Sequence, residues 1–462
     1  MLQPVNRLPP EIISHVARYS RDKDSTGDMG SMIPLTHVCR YWRGSIISTP
    51  ENWTQISSRS KSLAALSLQR AKAAPLEICL DMRQIRGNPG FSDLITPHIQ
   101  NIETLRIGSI STIEEFTRLL PDFPQSMPNL RSISLSGHAG LDWSIKPIGS
   151  VSTVLAHLSL VHIPLYPLFP HLRTLTDLTL RYHRFDLHLD ILLDFLEENC
   201  SLERVNLYIR FTNPSLRNSR RRVPIGNRLQ SLTIISRDAM DGNALISNIA
   251  LQRGAQLEIT LYDRNAGLND LLSIISMAHL SNLKSPTHMR FNPSPRNIQL
   301  LGPSGSFSFK RYNAPEAPFE SFPLHHLTNI RSFYLMRYTL ESDECSVESM
   351  AFPPSSLPAL ETFIIEYEFT MSHLFSELFL NPSSSPSLNT LAFLNCYLDE
   401  GFMDELVRFA SNRKNTTSAR LHRVVIVNSR GILPRFALLE ELGKHVPVVE
   451  AQIGKKLPTD LI

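Results

Sequence analysis

The sequence lacks most of what marks an enzyme or a secreted protein. Its 462 residues hold five cysteines, Cys39, Cys79, Cys200, Cys345 and Cys396, far apart and without a Cys-x-x-Cys pair. This argues against a disulfide framework or a thiolate zinc site and predicts reduced thiols, as in the cytoplasm or nucleus. No run approaches about 18 uninterrupted apolar residues, so no membrane partner is expected. The opening MLQPVNRLPPEI carries no apolar signal core. Charged residues make up 19% and the net charge is +3, too small a surplus to predict a nucleic-acid partner.

Chemical motifs are equally scarce. There is no GxxxxGK[ST] loop, no GxGxxG and no HExxH, and no nucleophile is paired with a base in any recognised spacing. Gly302-Pro303-Ser304-Gly305-Ser306 departs from the GxSxG elbow and reads as a loop. Asp22 to Asp28 resembles the opening of a calcium loop, but Ile33 stands where a bidentate Glu is needed. His325-His326 reads as exposed histidines, since adjacent side chains on an extended segment point apart. Arg217 to Arg222 is a basic run that reads as a solvated loop, with an acidic partner, nucleic acid or nuclear import as the minority reading. Asn52-Trp53-Thr54 and Asn415-Thr416-Thr417 match the glycosylation pattern by chance. No enzyme, cofactor or metal is expected.

What is present begins at residue 8. LPPEIISHVARYS predicts a helix that starts at the prolines and ends near Tyr19-Ser20, with Ile12, Ile13, Val16 and Ala17 on one face. Residues 20–32 are a polar insert. A second helix is expected from about Pro34 to Trp42, where Leu35, Val38, Cys39 and Trp42 fall at i, i+3, i+4 and i+7. A further turn runs from Arg43 to Ser48, and Trp53 to Ile56 reads as a strand.

The ordered set Leu8, Pro9, Glu11, Ile12, Val16, then Leu35, Val38, Cys39, Trp42, resembles an F-box, the small helical motif that docks on the Skp adaptor of a cullin–RING ubiquitin ligase. The insert at 20–32 is longer than the usual connection. A fungal branch of F-box-like proteins is similar in layout, with a following helix and strand as at Lys61–Ala74 and Pro75–Leu80. The resemblance covers about 45 residues. It implies adaptor contacts at Leu8, Pro9, Pro10, Ile12, Ile13, Val16, Leu35, Val38, Cys39 and Trp42, and a role as the substrate-recognition subunit of a Skp–cullin–F-box ligase.

Behind this module the pattern L-x-x-L-x-L recurs, first at Ile102/Leu105/Ile107 and last at Leu421/Val424/Ile426. Most copies lie 20 to 33 residues apart, close to the ~20–29 of leucine-rich repeats. Leu388 to Leu398 matches the full pattern, with Cys396 in the Asn/Cys slot. Helices are expected between strands at Ile113–Leu120, Leu187–Asn199, Ala239–Leu251, Leu268–His279, Met371–Leu380 and Asp399–Asn412. The expected architecture is α/β: an F-box-like helical module at 1–53, then an irregular leucine-rich-repeat-like solenoid at 54–462 with parallel strands concave and helices convex. The Pro-rich stretch 284–326 is irregular, with degenerate strands near Thr287–Phe291 and Ser306–Lys310.

In a strand, the residues between the apolar ones face the other side. Arg106, Asp177, Arg181, Arg204, Tyr208, Tyr334 and Glu366 lie there, a mix suited to holding a target protein. A non-ligase scaffold and, further off, a nucleic-acid-binding solenoid are the alternatives. No sequence rule names the target.

Overall fold

The computed structural model describes residues 8–20, 32–87, 90–112, 127–138, 154–165, 172–182, 188–211, 223–225, 227–236, 239–251, 254–261, 286, 288–293, 296–302, 305–311, 329–335, 357–366, 385–415, 420–428 and 436–452. The expected helices near 113–120, 268–279 and 371–380, the insert 21–31 and the Arg217–Arg222 run lie outside them. The chain forms two compact units, residues 1–212 with 225–228, and residues 213–224 with 229–462. Residues 1–53 fall within the first.

The first unit opens with α1 (Pro10–Tyr19), α2 (Met32–Leu35), α3 (Arg40–Ser48) and a 3-10 turn at Pro50–Trp53. Then come β1 (Gln55–Ser57), α4 (Lys61–Ala71), β2 (Leu76–Asp81), α5 (Met82–Arg86) and α6 (Phe91–Ile95). The unit continues with β3 (Ile102–Ile110), β4 (Ser132–Gly137), β5 (His157–Val161), β6 (Asp177–Arg181), α7 (Leu189–Glu198) and β7 (Arg204–Ile209). Strands β1 to β7 pair in parallel in chain order. The motif residues Leu105, Ile133, Leu158, Leu178 and Val205 are partners across that sheet and are all buried. The L-x-x-L-x-L signal thus reports a core row.

A feature that precedes several of the strands also repeats. Leu130 N–H donates to Met127 C=O at 3.3 Å, Leu175 to Leu172 at 3.1 Å and Leu202 to Asn199 at 3.3 Å. One tight turn therefore seats the first motif residue before the chain extends. At the end of the strand or just beyond it, Ser109 and His162 adopt positive φ, 57° and 56°. So do Asn395 and Asn428 in the second unit, at 52° and 53°. All four lie two positions after the last motif apolar residue. A left-handed residue there turns the chain off the sheet edge at a cost that Asn bears best.

The second unit contains β8 (Val223–Pro224), β9 (Ser231–Ser236), α8 (Ala239–Asn248), β10 (Ile249–Ala250) and β11 (Gln256–Leu261). Next are β12 (His288–Pro293), β13 (Arg296–Gly302), β14 (Gly305–Arg311), β15 (Ser332–Leu335), β16 (Thr362–Glu366) and β17 (Thr390–Leu394). It closes with α9 (Glu400–Asn415), β18 (Arg423–Val427), α10 (Phe436–Gly443) and β19 (Val448–Gln452). Strands β15 to β19 are parallel in chain order. The irregular stretch holds three strands: β13 runs antiparallel to both β12 and β14. Strand β14 pairs with β11 and β12 with β15, both in parallel, so the meander is spliced into the sheet back to front.

Two local expectations are corrected. The segment 34–42 is not one helix: Thr36 Oγ1 donates to Ile33 C=O at 2.7 Å, and Cys39 is extended (φ −162°) and caps α3. Trp53 belongs to the 3-10 turn, and the strand starts at Gln55.

Candidate docking surfaces

The first surface is built on α1 and α3. Helix α1 starts at Pro10, where the missing N–H costs nothing. It turns Ile13 and Ala17 inward and leaves Ile12 and Val16 44% and 38% exposed. Helix α3 is capped by the Cys39 thiol, which accepts from Trp42 N–H at 3.5 Å. Its inner face is Trp42, Ser45 and Ile46. Asn52, fully buried, ties the helices together: Ser14 Oγ donates to its Oδ1 at 2.9 Å, and its Nδ2 donates to Ile46 C=O at 3.3 Å. Trp53 Nε1 donates to the same carbonyl at 3.0 Å, and Arg70 of α4 stacks on the Trp53 ring at 4.2 Å. With both amide atoms engaged, Asn52 cannot carry a glycan.

The predicted adaptor contacts separate accordingly. Pro9, Pro10, Ile12 and Val16 are exposed on α1, and Val38 is 50% exposed ahead of α3. Leu8, Leu35 and Cys39 are half-buried. Ile13 and Trp42 are buried, Trp42 to 7%, so they support the surface from beneath. With Cys39 as a cap, Leu35, Val38, Cys39 and Trp42 do not form one helical stripe. Tyr19, Ile33 and Tyr41 are further exposed apolar residues in this region. Tyr41 Oη donates to Leu8 C=O at 2.9 Å, fastening α3 to the start of α1. Tyr19, at i+7 from Ile12, was legible in the same periodicity.

The second surface is the polar face of the β1–β7 sheet. Parallel sheets are ordinarily covered on both faces, but here the residues between the motif positions are mostly polar. One in-register row reads Ser57, Cys79, Arg106, Ser134, Ser159, Thr179, Asn206. The next reads Gln55, Glu77, Thr104, Ser132, His157, Asp177, Arg204. Most of the first row, with Ser132, His157 and Asp177, lines an open groove of about 510 Å³.

Each candidate target residue has a partner on a neighbouring strand. Arg106 bridges Glu77 at 3.0 Å. Asp177 accepts from His157 Nδ1 at 2.8 Å on one side and from Arg204 on the other. Burial raises the Asp177 carboxyl, but hydrogen bonds from Arg204 and Thr176, with the nearby His157 and Arg204 charges, outweigh it and hold its pKa below the ordinary value. Arg181 stacks on the Tyr208 ring at 4.5 Å. In the second unit Tyr334 Oη donates to Glu366 Oε2 at 2.6 Å, and Asn395 Nδ2 donates to Oε1 at 3.0 Å. Burial and the Glu366 hydrogen bond push the Tyr334 phenol up.

The same side of β16–β18 is different in kind. Ile364, Ala392, Leu394, Val425 and Val427 form a buried cluster with Tyr334 packed on it. Ile364 and Val425, which stand between motif positions, are core residues there. The Cys396 thiol donates to Leu394 C=O at 3.2 Å and to Ile365 C=O at 3.5 Å.

Ser132, His157 and Asp177 share one row, the residue types of a nucleophilic relay. Among the described residues Ser132 makes no hydrogen bond to His157, and Asp177 divides its oxygens between His157 and Arg204. The row is an ion-pair ladder. Among the described residues no group of His, Cys, Asp and Glu could hold a metal, and no helix is long and apolar enough to cross a membrane. Burial, then the Glu77 charge, pushes the Cys79 thiol up to about 12. Since the thiolate is the nucleophile, iodoacetamide at neutral pH is expected to label exposed Cys200 and to spare Cys79 and Cys396 until the chain is denatured. Peptide mass mapping checks this.

No protein-family model and no curated protein matches the chain.

Proposed function

We propose that the chain is the substrate-recognition subunit of a Skp–cullin–F-box type ubiquitin ligase. The N-terminal helices would hold the Skp adaptor, and a leucine-rich-repeat-like solenoid would hold a target protein. The observation that supports this most is where the large apolar side chains stay exposed. Among the described residues, six of the ten such side chains (Ile12, Val16, Tyr19, Ile33, Val38 and Tyr41) fall within positions 12 to 41. Clustered apolar exposure on a small helical module marks a protein-docking site. The recurring turn–strand unit supports the repeat reading, and the open polar groove supports a second partner. The mechanism is proximity: two partners on one chain meet at an effective concentration of about millimolar. The working compartment on this reading is the cytoplasm or nucleus.

The test is affinity purification from cells. The native chain is expected to bring down a Skp-type adaptor and neddylated cullin. Ile12→Asp with Val38→Asp, both at exposed positions, is expected to lower adaptor recovery at least about tenfold with the melting temperature unchanged. Adaptor recovery that survives deletion of residues 1–53 would overturn the reading. Adaptor without cullin would favour a non-ligase scaffold.

A further inference from the structure

We infer that the groove of the first unit takes an extended polypeptide segment bearing anionic side chains, gripped by arginines at the carboxyl-terminal rim of the strands. This rests on the reading that the groove is the target-holding surface, and names the class of target.

Charge cancels on the groove floor. Arg106 is met by Glu77 at 3.0 Å, and Asp177 by His157 and Arg204. At the rim, Arg181, Arg210 and Arg83 meet no carboxylate among the described residues. Ser136, which lines the groove, is in register with Val161, Arg181 and Tyr208, so Arg181 and Tyr208 belong to the same face. Arg181 lies over the Tyr208 ring at 4.5 Å. Arg210, two positions on, is exposed. Arg83 of α5 has Nη2 3.4 Å from His138 Nε2, Arg86 donates to Ser111, and Arg59 lines the groove. Among the described residues of this rim the acidic one is Asp81. Its carboxylate is engaged in capping α5, accepting from Arg83 N–H at 3.0 Å.

Stacking on an aromatic ring fixes a guanidinium without neutralising it. The N–H fork keeps its edge for a carboxylate or phosphate, which it matches in bidentate geometry. The floor complements this. Ser134 and Ser159 line it, and a hydroxyl can both donate and accept, which suits the alternating C=O and N–H of an extended backbone. From β1 to β6 the groove crosses about 24 Å at ~4.8 Å per strand, the length of about seven extended residues. A nucleic-acid strand fits less well, because the whole chain carries only +3.

The test is fluorescence anisotropy with the full chain. The probes are labelled peptides of that length: alternating Ser and Glu, the same with phosphoserine for Ser, alternating Ser and Lys, and a single-stranded oligonucleotide. Both acidic peptides are expected to bind, and to weaken as salt rises. Arg181→Ala with Arg210→Ala is expected to weaken them roughly tenfold. Tighter binding of the phosphoserine peptide assigns the anion as phosphate, and equal binding assigns it as carboxylate. A Lys peptide that binds as well, an unchanged double variant, or a tighter oligonucleotide overturns the inference. Adaptor recovery measured on the same preparation separates the two readings. Lost peptide discrimination with the adaptor retained sinks only this inference, and peptide binding without adaptor sinks only the ligase assignment.

Discussion

Trp42→Ala is expected to lose adaptor binding and to destabilise the N-terminal helices by about 3–5 kcal/mol, the cost of truncating a buried Trp. Trp42 is 7% exposed, on the face of α3 that carries Ser45 and Ile46. The helices it supports are short, ten residues in α1 and nine in α3, too short to persist without packing. Their inner contacts are Ile13 and Ala17 from α1, Ile46 from α3, and Trp53 and the Asn52 relay from the following turn. Opening a cavity at Trp42 loosens all of these together. The exposed Ile12 and Val16 share α1 with Ile13 and Ala17, so their placement depends on the same packing. Val38→Ala should behave differently. Its side chain is half in solvent, so adaptor recovery falls while the melting curve stays put. Hydrogen exchange of the α1 amides checks the distinction: it should be faster in Trp42→Ala and unchanged in Val38→Ala. Equal protection in both variants would mean that Trp42 does not organise the module.

The core was the legible part of the fold. Strand residues such as Leu178 and Leu180 alternate with Thr179 and Arg181, and a period of two assigns their faces without further information. The start of α1 was equally plain, because Pro9-Pro10 can open a helix but not continue one. Misreadings arose where a small polar side chain outweighed periodicity. Leu35, Val38, Cys39 and Trp42 have helical spacing, but the Thr36 hydroxyl closes the preceding turn and the Cys39 thiol starts a new helix. Strand β13 was hidden because RNIQLLG stands between Pro- and Gly-rich stretches that read as loop, yet it pairs antiparallel with both β12 and β14. The candidate target residues were found singly and their pairing was not. Arg106 with Glu77, or Arg181 with Tyr208, depends on the register of strands about 27 residues apart, and no local pattern encodes that. The covered face at Ile364 and Val425 was legible in part: successive apolar residues in TFIIE and RVVIV mark strands buried on both sides.

Arg413→Met is expected to cost the second unit about 3–5 kcal/mol, more than most surface changes in the chain, because it strips donors from buried carbonyls. Arg413 sits near the end of α9 with 0% exposure. Its Nη1 and Nη2 donate to Ser385 C=O, both at 3.1 Å, and Nη2 also donates to Leu388 C=O at 2.7 Å. The guanidinium lies 5.3 Å from the Phe409 ring centre. Those carbonyls belong to the turn that seats Leu388, the first motif residue of β17, where Leu388 N–H donates to Ser385 C=O at 3.1 Å. Arg413 thus ties α9 to the turn that precedes β17. Burial lowers its pKa to about 10, which registers the desolvation cost, yet the group remains charged at neutral pH. Methionine matches the stem and keeps the packing on Phe409, so the loss reports the hydrogen bonds and not a cavity. Lysine should rescue little, since a single ammonium cannot reproduce a planar fork that serves two carbonyls at once. Denaturant unfolding followed by hydrogen exchange in β17 and β18 measures the effect. Stability within about 0.5 kcal/mol of the native chain in Arg413→Met would show that the Ser385–Leu388 turn holds itself.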